Sequence, residues 1–275
     1  MEKNRLNEIL QYLIEITAEL QIEVANFMTK SNFDYLGEET GLGADGEPTT
    51  KIDKFAEEFI IKKMFNKFSC RITSEETGTK RYGTSKSDLS FIIDPIDGTK
   101  NAVRKIPFFS CSIAVLINGI VVVGVVRDLY NGDLFYAIRG NGSFYNNKKT
   151  PIKFNFKDDD MPVIFSRSIS DSDFRRFKKM ALITSDYRIF GCPSIEICYV
   201  AAKKFRAAIQ IHEKPNATMM DLAAAQLILH EAGGRLVDEK MDEIKIVEDP
   251  AKRVNFIAML NEDKKLKSEI ENCLA

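Results

Sequence analysis

The segment SFIIDPIDGTKN, residues 90–101, decides how this chain is interpreted. Its three apolar residues at 91–93 predict a buried strand that delivers Asp94 at its end. Pro95 has no N–H group for a ladder hydrogen bond, and Gly98 permits a sharp turn. The sequence therefore predicts a strand that runs directly into a tight, acidic turn.

This turn is expected to bring oxygen ligands together. Asp94, Asp97 and the carbonyl of Ile96 surround it, and the hydroxyl of Thr99 follows. Two carboxylates so close repel each other unless a proton or a cation lies between them. Hard divalent cations such as Mg²⁺ prefer such oxygens and often keep phosphate oxygens as further ligands. The N–H groups after Gly98 are expected to open a short helix, whose start favours an anion.

The acidic turn has three other interpretations. An EF-hand loop needs oxygens at alternate positions and a glutamate at position 12, where this chain has Lys105. Phosphatases with an aspartyl nucleophile place their two aspartates two positions apart, whereas Asp94 and Asp97 are three apart, which makes a covalent aspartyl-phosphate the weaker interpretation. The third interpretation is a solvated turn without a ligand.

Two further acidic features gain weight beside this turn. Glu75-Glu76 follows the strand-like residues 71–73, and strand ends on one edge of a sheet can converge on one site. Asp221 lies in the first turn of the Ala-rich helix predicted within residues 217–234. In that position an aspartate is either a cap residue favoured by the helix dipole or a ligand, and the pattern alone leaves both open.

The remaining pattern predicts an α+β first half and an alternating α/β second half. Apolar residues from Leu6 to Phe27 recur at helical spacing, and a second helix is expected near Asp53. The glycine-rich residues 36–50 are expected to form a loop. Asn118-Gly119 between two β-branched runs predicts a hairpin. After about residue 155, strands and helices alternate, which indicates a sheet covered by helices.

Composition restricts the function further. The chain has 275 residues with 39 Lys+Arg against 40 Asp+Glu, so a general binder of nucleic acid or anionic membranes is not expected. The longest apolar stretch, 108–126, is interrupted by polar residues, and the N-terminus lacks the pattern of a secretory signal. Five cysteines without a CxxC motif suggest reduced thiols, so we expect a cytoplasmic protein. Because the chain has only two histidines, any metal would be held by oxygen.

Four segments together resemble the inositol monophosphatase family. They are SEE at 74–76, DPIDGTKN at 94–101, RGNGSFYNN at 139–147 and MDLAAAQLILHEAGG at 220–234. Their order and spacing fit, and the resemblance covers nearly the whole chain. The GADG loop and RIFGCPSIEICYVA at 188–201 are most similar to the archaeal-type branch, whose members act on inositol monophosphates and fructose 1,6-bisphosphate.

The resemblance implies roles for individual residues. Glu75, Asp94, the Ile96 carbonyl, Asp97 and Asp221 match the family's metal ligands, which implies two or three Mg²⁺ ions. Asp53 matches the acidic residue of the water network, and Thr99 the hydroxyl that orients the attacking water, with Asp53 or Glu75 as proton acceptor. The matching substrate contacts are Asp97, Gly98, Thr99, Arg188, Gly191, Ser194 and Lys214.

The resemblance also implies the fold and leaves the substrate open. The expected architecture is a layered αβαβα sandwich of the sugar-phosphatase type. Residues 1–155 would supply most metal ligands, and residues 156–275 would supply Asp221 and the substrate pocket. Ala102 and Met220 replace aromatic residues common in the family, which affects pocket shape rather than ligands. A homodimer is expected. A 3′-phosphoadenosine 5′-phosphate phosphatase and a non-catalytic metal- or phosphate-binding relative remain alternatives.

Overall fold

Eight helices are present in the described part of the chain, which in this computed structural model comprises residues 2–83, 88–151, 162–165, 170–184 and 186–274. They are α1 (Glu2–Lys30), α2 (Phe33–Leu36), α3 (Lys51–Lys67), α4 (Thr99–Val103), α5 (Asp171–Ala181), α6 (Pro193–Ala201), α7 (Met219–Glu231) and α8 (Lys264–Leu274). The long first helix and the helix around Asp53 confirm the periodicity of the sequence.

The strands form two large sheets and two small ones. In the first half they are β1 (Glu39–Leu42), β2 (Pro48–Thr50), β3 (Cys70–Ser74), β4 (Gly78–Tyr82), β5 (Leu89–Asp97), β6 (Ser110–Ile117), β7 (Ile120–Asp128), β8 (Leu134–Ile138), β9 (Ser143–Tyr145) and β10 (Lys148–Lys149). In the second half they are β11 (Val163–Phe165), β12 (Tyr187–Arg188), β13 (Ala207–Gln210), β14 (Ala217–Thr218), β15 (Gly234–Val237), β16 (Arg253–Val254) and β17 (Phe256–Leu260).

The larger sheet has eight strands in the order β10-β9-β8-β7-β6-β5-β3-β4. All its pairs are antiparallel except β3 and β5, which run parallel. Asn118 and Gly119 join β6 to β7 with positive φ angles of 52° and 76°, which confirms the predicted hairpin. Strands β5 to β9 thus form an antiparallel meander, and the β3–β5 crossover brings the end of β3 beside the end of β5.

The second sheet has five strands in the order β12-β11-β13-β17-β15 and mixes parallel and antiparallel pairs. Helices α6 and α7 lie between the two large sheets, α1 and α3 cover the far face of the first, and α5 and α8 cover the far face of the second. This arrangement confirms the layered αβαβα sandwich.

Helix α7 joins the two halves of the molecule in one core. Its apolar side chains share a buried cluster with residues of both sheets. The contact with β7 is so close that a Cβ on Gly124 would lie 2.7 Å from the carbonyl oxygen of Ala224. A helix packed this tightly holds its first turn, and with it Asp221, at a fixed position relative to the first sheet.

Two expectations about the chain's organisation need comment. The prediction of a loop over residues 36–50 was incomplete, because β1 and β2 pair there as an antiparallel hairpin with a register shift between Glu39 and Gly41. The predicted domain boundary at 155/156 lies outside the described residues and stays a prediction. Within the described ranges, no helix combines the length and hydropathy needed to cross a membrane.

Candidate active site

Three aspartates from distant parts of the sequence form a buried acidic cluster. Asp94, Asp97 and Asp221 each place one carboxylate oxygen within 4.8 Å of the others. None of the three side chains is more than 8% exposed. The structure thus brings together the two features that the sequence placed at the end of β5 and at the start of α7.

A β-bulge puts Asp94 and Asp97 on the same side of the sheet. Asp94 pairs with Ser112 of β6 and Asp97 with Ser110, so three steps along β5 match two along β6. Side chains of a regular strand alternate, and residues three apart would face opposite sides. The extra residue reverses the alternation. The spacing DPID is therefore the spacing that converges two carboxylates across a bulge.

Asp221 is both a helix cap and a member of the cluster. Its Oδ2 accepts hydrogen bonds from the N–H of Thr218 at 2.6 Å and from the Thr218 hydroxyl at 3.1 Å. The N–H of Asp221 donates in return to the Thr218 hydroxyl, which completes a capping box. The capping alternative is therefore confirmed, and the ligand alternative stays a prediction that the second oxygen of the carboxylate leaves possible.

The N-terminus of α6 holds the third carboxylate. Oδ2 of Asp97 accepts the N–H of Ser194 at 2.7 Å and the thiol of Cys192 at 3.2 Å. The hydroxyl of Ser194 is 2.6 Å from that of Ser110, on the strand beside Asp97. Ser194, predicted as a substrate contact, is fully buried and reaches the site through Asp97.

Thr99 and Asp53 form a hydrogen-bonded pair next to the acidic turn. The Thr99 hydroxyl donates to Oδ1 of Asp53 at 2.9 Å and also lies 3.1 Å from the carbonyl oxygen of Ile96. Oδ2 of Asp53 accepts the N–H and hydroxyl of Thr50, at 3.0 and 2.6 Å. A second capping box, at the start of α3, thus leaves one oxygen of Asp53 for Thr99.

Burial and like charge raise the pKa values of this whole region. Burial is the largest cause for Asp94, followed by the charges of Glu75, Asp97 and Asp221, and its pKa is well above 3.8. Burial, and then the charges of Asp221 and Asp45, raise the pKa of Glu75 well above 4.5. Burial raises the pKa of Asp53 to about 6.

Crowded carboxylates of this kind need a proton or a cation between them. The carboxylates of Asp94, Asp97 and Asp221, within 4.8 Å of one another, cannot all be charged at this distance without strong repulsion. A hard divalent cation would replace that proton, and an all-oxygen donor set suits Mg²⁺. The residues present therefore fit the metal that the sequence predicts.

Gly98 is required by the geometry of the turn. Its φ of +87° is one that side-chain-bearing residues rarely adopt. A Cβ there would lie 3.2 Å from the Phe108 carbonyl oxygen and 3.3 Å from Cβ of Cys192. The turn is thus enclosed by segments from both halves of the chain.

The other predicted substrate contacts lie on the second half. Gly191, with φ of +77°, donates its N–H to Oε1 of the buried Glu196 at 2.8 Å. Arg188 is exposed and ion-paired with Asp186, and Lys214 is exposed. Their contacts with a substrate stay predictions.

Sequence reasoning missed several residues that support the site. Asn101 donates from Nδ2 to the carbonyl oxygens of Phe108 and Phe190, at 2.8 Å each, and so joins the two segments beside Gly98. Glu196 carries out the corresponding task for the Gly191 segment. A buried glutamate in the first turn of an apolar helix was the available signal for Glu196, but no periodicity identifies its partners.

Comparison with known proteins agrees with this geometry. The profile of the inositol monophosphatase family matches residues 9–266. The chain belongs to this family.

Individual relatives differ in what they act on. A fructose-1,6-bisphosphatase/inositol-1-monophosphatase of Methanothermobacter thermautotrophicus is 32% identical over 238 residues, covering 82% of this chain and 83% of the relative. A bifunctional NADP phosphatase/NAD kinase of Methanococcus maripaludis is 32% identical over 271 residues and covers 87% of this chain. This inositol monophosphatase family member spans only 46% of that relative's length.

The solved structures match over nearly the full length. A crystal structure of an inositol monophosphatase–fructose 1,6-bisphosphatase superposes with a TM-score of 0.79 at 25% identity. The superposition covers 96% of this chain and 98% of the chain in the crystal structure. The family fold is therefore shared from the first helix to the last.

Proposed function

We propose that this inositol monophosphatase family member is a Mg²⁺-dependent phosphomonoesterase that hydrolyses a sugar or polyol phosphate by direct attack of water. The observation that carries the proposal is the convergence of Asp94, Asp97 and Asp221 beside the Thr99–Asp53 pair. A phosphate monoester carries two negative charges, so attack by hydroxide is slow unless those charges are neutralised. An acidic cluster that gathers cations supplies the neutralising charge at one point.

Five oxygen donors would hold the metal: the carboxylates of Glu75, Asp94, Asp97 and Asp221 and the carbonyl of Ile96. When bound there, two or three Mg²⁺ ions would neutralise the phosphate, lower the pKa of a coordinated water and stabilise the leaving alkoxide. Each of Asp97 and Asp221 already commits one oxygen to the protein, which orients the other toward the cluster.

The residues of the chain would position the nucleophile and the phosphate. Because the Thr99 hydroxyl donates to Asp53, its lone pairs can accept a hydrogen bond from an attacking water and align it. As the water attacks, its proton would pass to the Thr99 oxygen while the Thr99 hydroxyl proton passes to Asp53, whose pKa of about 6 suits this role near neutral pH. Glu75 is the other candidate acceptor. The N–H groups of Gly98 and Thr99, at the start of α4, would bind phosphate oxygens.

Direct hydrolysis is proposed without a phosphoenzyme. The aspartates are spaced to converge on a cation, and Asp94 also accepts the N–H of Ile96 at 3.0 Å through Oδ1. This arrangement is well suited to a carboxylate that binds a cation. Isolation of a phosphorylated side chain during turnover would contradict this step.

The preferred substrate is proposed from the relatives. Inositol 1-phosphate and fructose 1,6-bisphosphate are the first candidates, because the archaeal relative is named for both. NADP is the second candidate, because the bifunctional relative is named as an NADP phosphatase and its alignment covers 87% of this chain. Adenosine 3′,5′-bisphosphate is a poorer fit.

We also propose a homodimer, which light scattering would test.

The deciding experiment is phosphate release from these four substrates with and without Mg²⁺. Asp97→Asn should lower kcat by about 10² to 10⁴-fold if Asp97 holds a catalytic cation. Asp34→Asn removes a charge from an exposed aspartate and should leave kcat unchanged. If the wild-type chain binds Mg²⁺ and phosphate but hydrolyses none of the substrates, the non-catalytic alternative is correct.

A further inference from the structure

The turn between β1 and β2, residues 43–47, lies against the main chain of Glu75 and Glu76. The N–H of Ala44 donates to the carbonyl of Glu76 at 3.1 Å, and that of Asp45 donates to the carbonyl of Glu75 at 3.2 Å. The turn is closed by a hydrogen bond from Gly43 to Glu47. Strand β1 is exposed along its length, and on β2 the buried Thr49 hydroxyl donates to the Glu76 side chain.

Electrostatics oppose this position of the turn. The Asp45 side chain is only 2% exposed, and its Oδ1 and Oε2 of Glu76 both lie beside Gly43. The charge of Asp45 is therefore repelled by the carboxylates of the cleft when these are ionised. A favourable interaction from elsewhere must offset this repulsion, since like charges this close and this buried destabilise each other.

Arg253 supplies that interaction from the other half of the chain, 208 positions away. Its Nη2 donates to Oδ2 of Asp45 at 2.8 Å and to the Asp45 carbonyl at 3.1 Å. Nη1 donates to the carbonyl of Asn216 at 3.0 Å, and Glu47 lies 3.8 Å away. The Arg253 side chain is 22% exposed and that of Asp45 2%, so the pair is sheltered from solvent.

Arg253 also connects to the start of α7. It pairs with Thr218 across the two-stranded β14–β16 sheet, and Thr218 is the N-cap whose hydrogen bonds hold Asp221. Burial raises the pKa of Asp221, and the positive charge of Arg253 offsets a small part of that rise. The Arg253 side chain thus contacts the 43–47 turn, while the Arg253 main chain pairs with Thr218, the N-cap that binds Asp221.

We infer that Arg253 is a positioning residue, whose guanidinium holds the 43–47 turn on Glu75 and fixes the Glu75 side of the cleft relative to the Asp221 side. This inference rests on the proposed function for its consequence in catalysis. The contact of the Arg253 guanidinium with the 43–47 turn, here called the strap, exists independently of that function. The inference assigns Arg253 to the shape of the cleft rather than to substrate or phosphate.

The two possible effects of Arg253 on cation binding have opposite signs. If Arg253 acted only through its charge, Arg253→Gln would make the cleft more negative and strengthen Mg²⁺ binding, whereas Asp45→Asn would weaken it. If Arg253 positions the turn, both substitutions release the same contact and both weaken Mg²⁺ binding. Titration calorimetry with Mg²⁺ alone separates the two cases.

Hydrogen exchange tests the strap without any cation. In EDTA, Arg253→Gln and Asp45→Asn should each speed exchange of the Ala44 and Asp45 amides by about tenfold, and the double variant should add little to either. Arg253→Lys should restore part of the protection. Lys252→Gln removes the same charge from the exposed neighbouring side chain and should change neither exchange nor Mg²⁺ affinity.

Two results would overturn the inference: unchanged exchange at Ala44 and Asp45 in a folded Arg253→Gln protein, or stronger Mg²⁺ binding by that variant. Equal unfolding temperatures of the variants and wild type would exclude a general loss of structure as the cause of faster exchange. If the wild-type chain binds no Mg²⁺, the proposed function fails, and the exchange measurement still decides whether the strap exists.

Discussion

The main-chain N–H of Ser194 donates a hydrogen bond of 2.7 Å to Oδ2 of Asp97, across 97 positions of sequence. The bond joins the acidic turn of the first sheet to the N-terminus of α6, where the helix dipole favours a negative charge. It leaves the second oxygen of Asp97 for the cluster. The position of a proposed metal ligand is thus determined by a helix of the other half.

The thiol of Cys192 should matter for the same carboxylate. Cys192→Val removes a donor to Asp97 and should weaken Mg²⁺ binding by roughly three- to tenfold, because a buried acceptor loses one hydrogen bond. Cys192→Ser retains a donor and should stay close to wild type. Mg²⁺ titration of both variants checks this, and equal affinities would show that the Ser194 bond alone is sufficient.

Gly98→Ala should lower activity strongly, and Gly119→Ala is the control for the effect of a positive φ alone. Gly98 and Gly119 both have positive φ, but a Cβ on Gly98 meets Phe108 and Cys192, whereas a Cβ on Gly119 meets nothing within 4 Å. Both Gly98→Ala and Gly119→Ala should lose about 1 kcal/mol of unfolding free energy from strain. Gly98→Ala should in addition lower kcat by at least about 100-fold, because it displaces the turn whose N–H groups would bind phosphate. Urea unfolding and kcat measured together distinguish strain from displacement.

The Thr99 hydroxyl should be required for the chemical step rather than for folding. Thr99→Val removes the hydrogen bond to Asp53 and should lower kcat by about 10²- to 10⁴-fold with a smaller change in KM. Thr99→Ser keeps the hydroxyl and should retain most activity. A Thr99→Ser protein as inactive as Thr99→Val would assign the role to the methyl group and its packing instead.

Stability without a cation should fall as pH rises. The pKa of Glu76 is raised to about 8 and that of Glu196 to about 7, in both cases mainly by burial. A raised carboxyl pKa means that the folded state keeps a proton that the unfolded state releases. Their contribution to stability is therefore complete below about pH 4 and is lost as pH rises toward 8.

Thermal unfolding in EDTA measures this effect. We expect Tm to fall by several degrees, roughly 3–8 °C, between pH 5 and pH 8.5. Added Mg²⁺ should reduce the fall, since a bound cation favours the charged carboxylates. A Tm that rises over this range in EDTA would contradict the raised pKa values.

Local patterns were sufficient for most of the fold. Helical periodicity identified α1 and α3, and Asn118-Gly119 identified the β6–β7 hairpin, because these signals depend on neighbours in sequence. The strands β1 and β2 were missed because a short, exposed pair has no apolar alternation to reveal it. The DPID spacing predicted a shared site, yet only the register of β5 against β6 explains how Asp94 and Asp97 come to face the same side of the sheet.

Long-range contacts could not be predicted in the same way. The partners of Asp97 on α6 and of Asp45 on β16 are 97 and 208 positions away, and each is a single side chain or amide without a motif. Such contacts depend on how the layers stack, which residue spacing does not encode. The predicted site residues are therefore better understood as the part of the site that local geometry determines.

The capping boxes of Thr50–Asp53 and Thr218–Asp221 have a thermodynamic consequence. In each, one oxygen of the aspartate closes the first turn of a helix. The other oxygen accepts the Thr99 hydroxyl in the case of Asp53, and Asp221 also belongs to the acidic cluster. If Asp221 binds the proposed cation, occupation of the cluster and order in the first turn of α7 are linked equilibria, and each favours the other by the same free energy. Loss of the cation would then increase fraying at the start of α7.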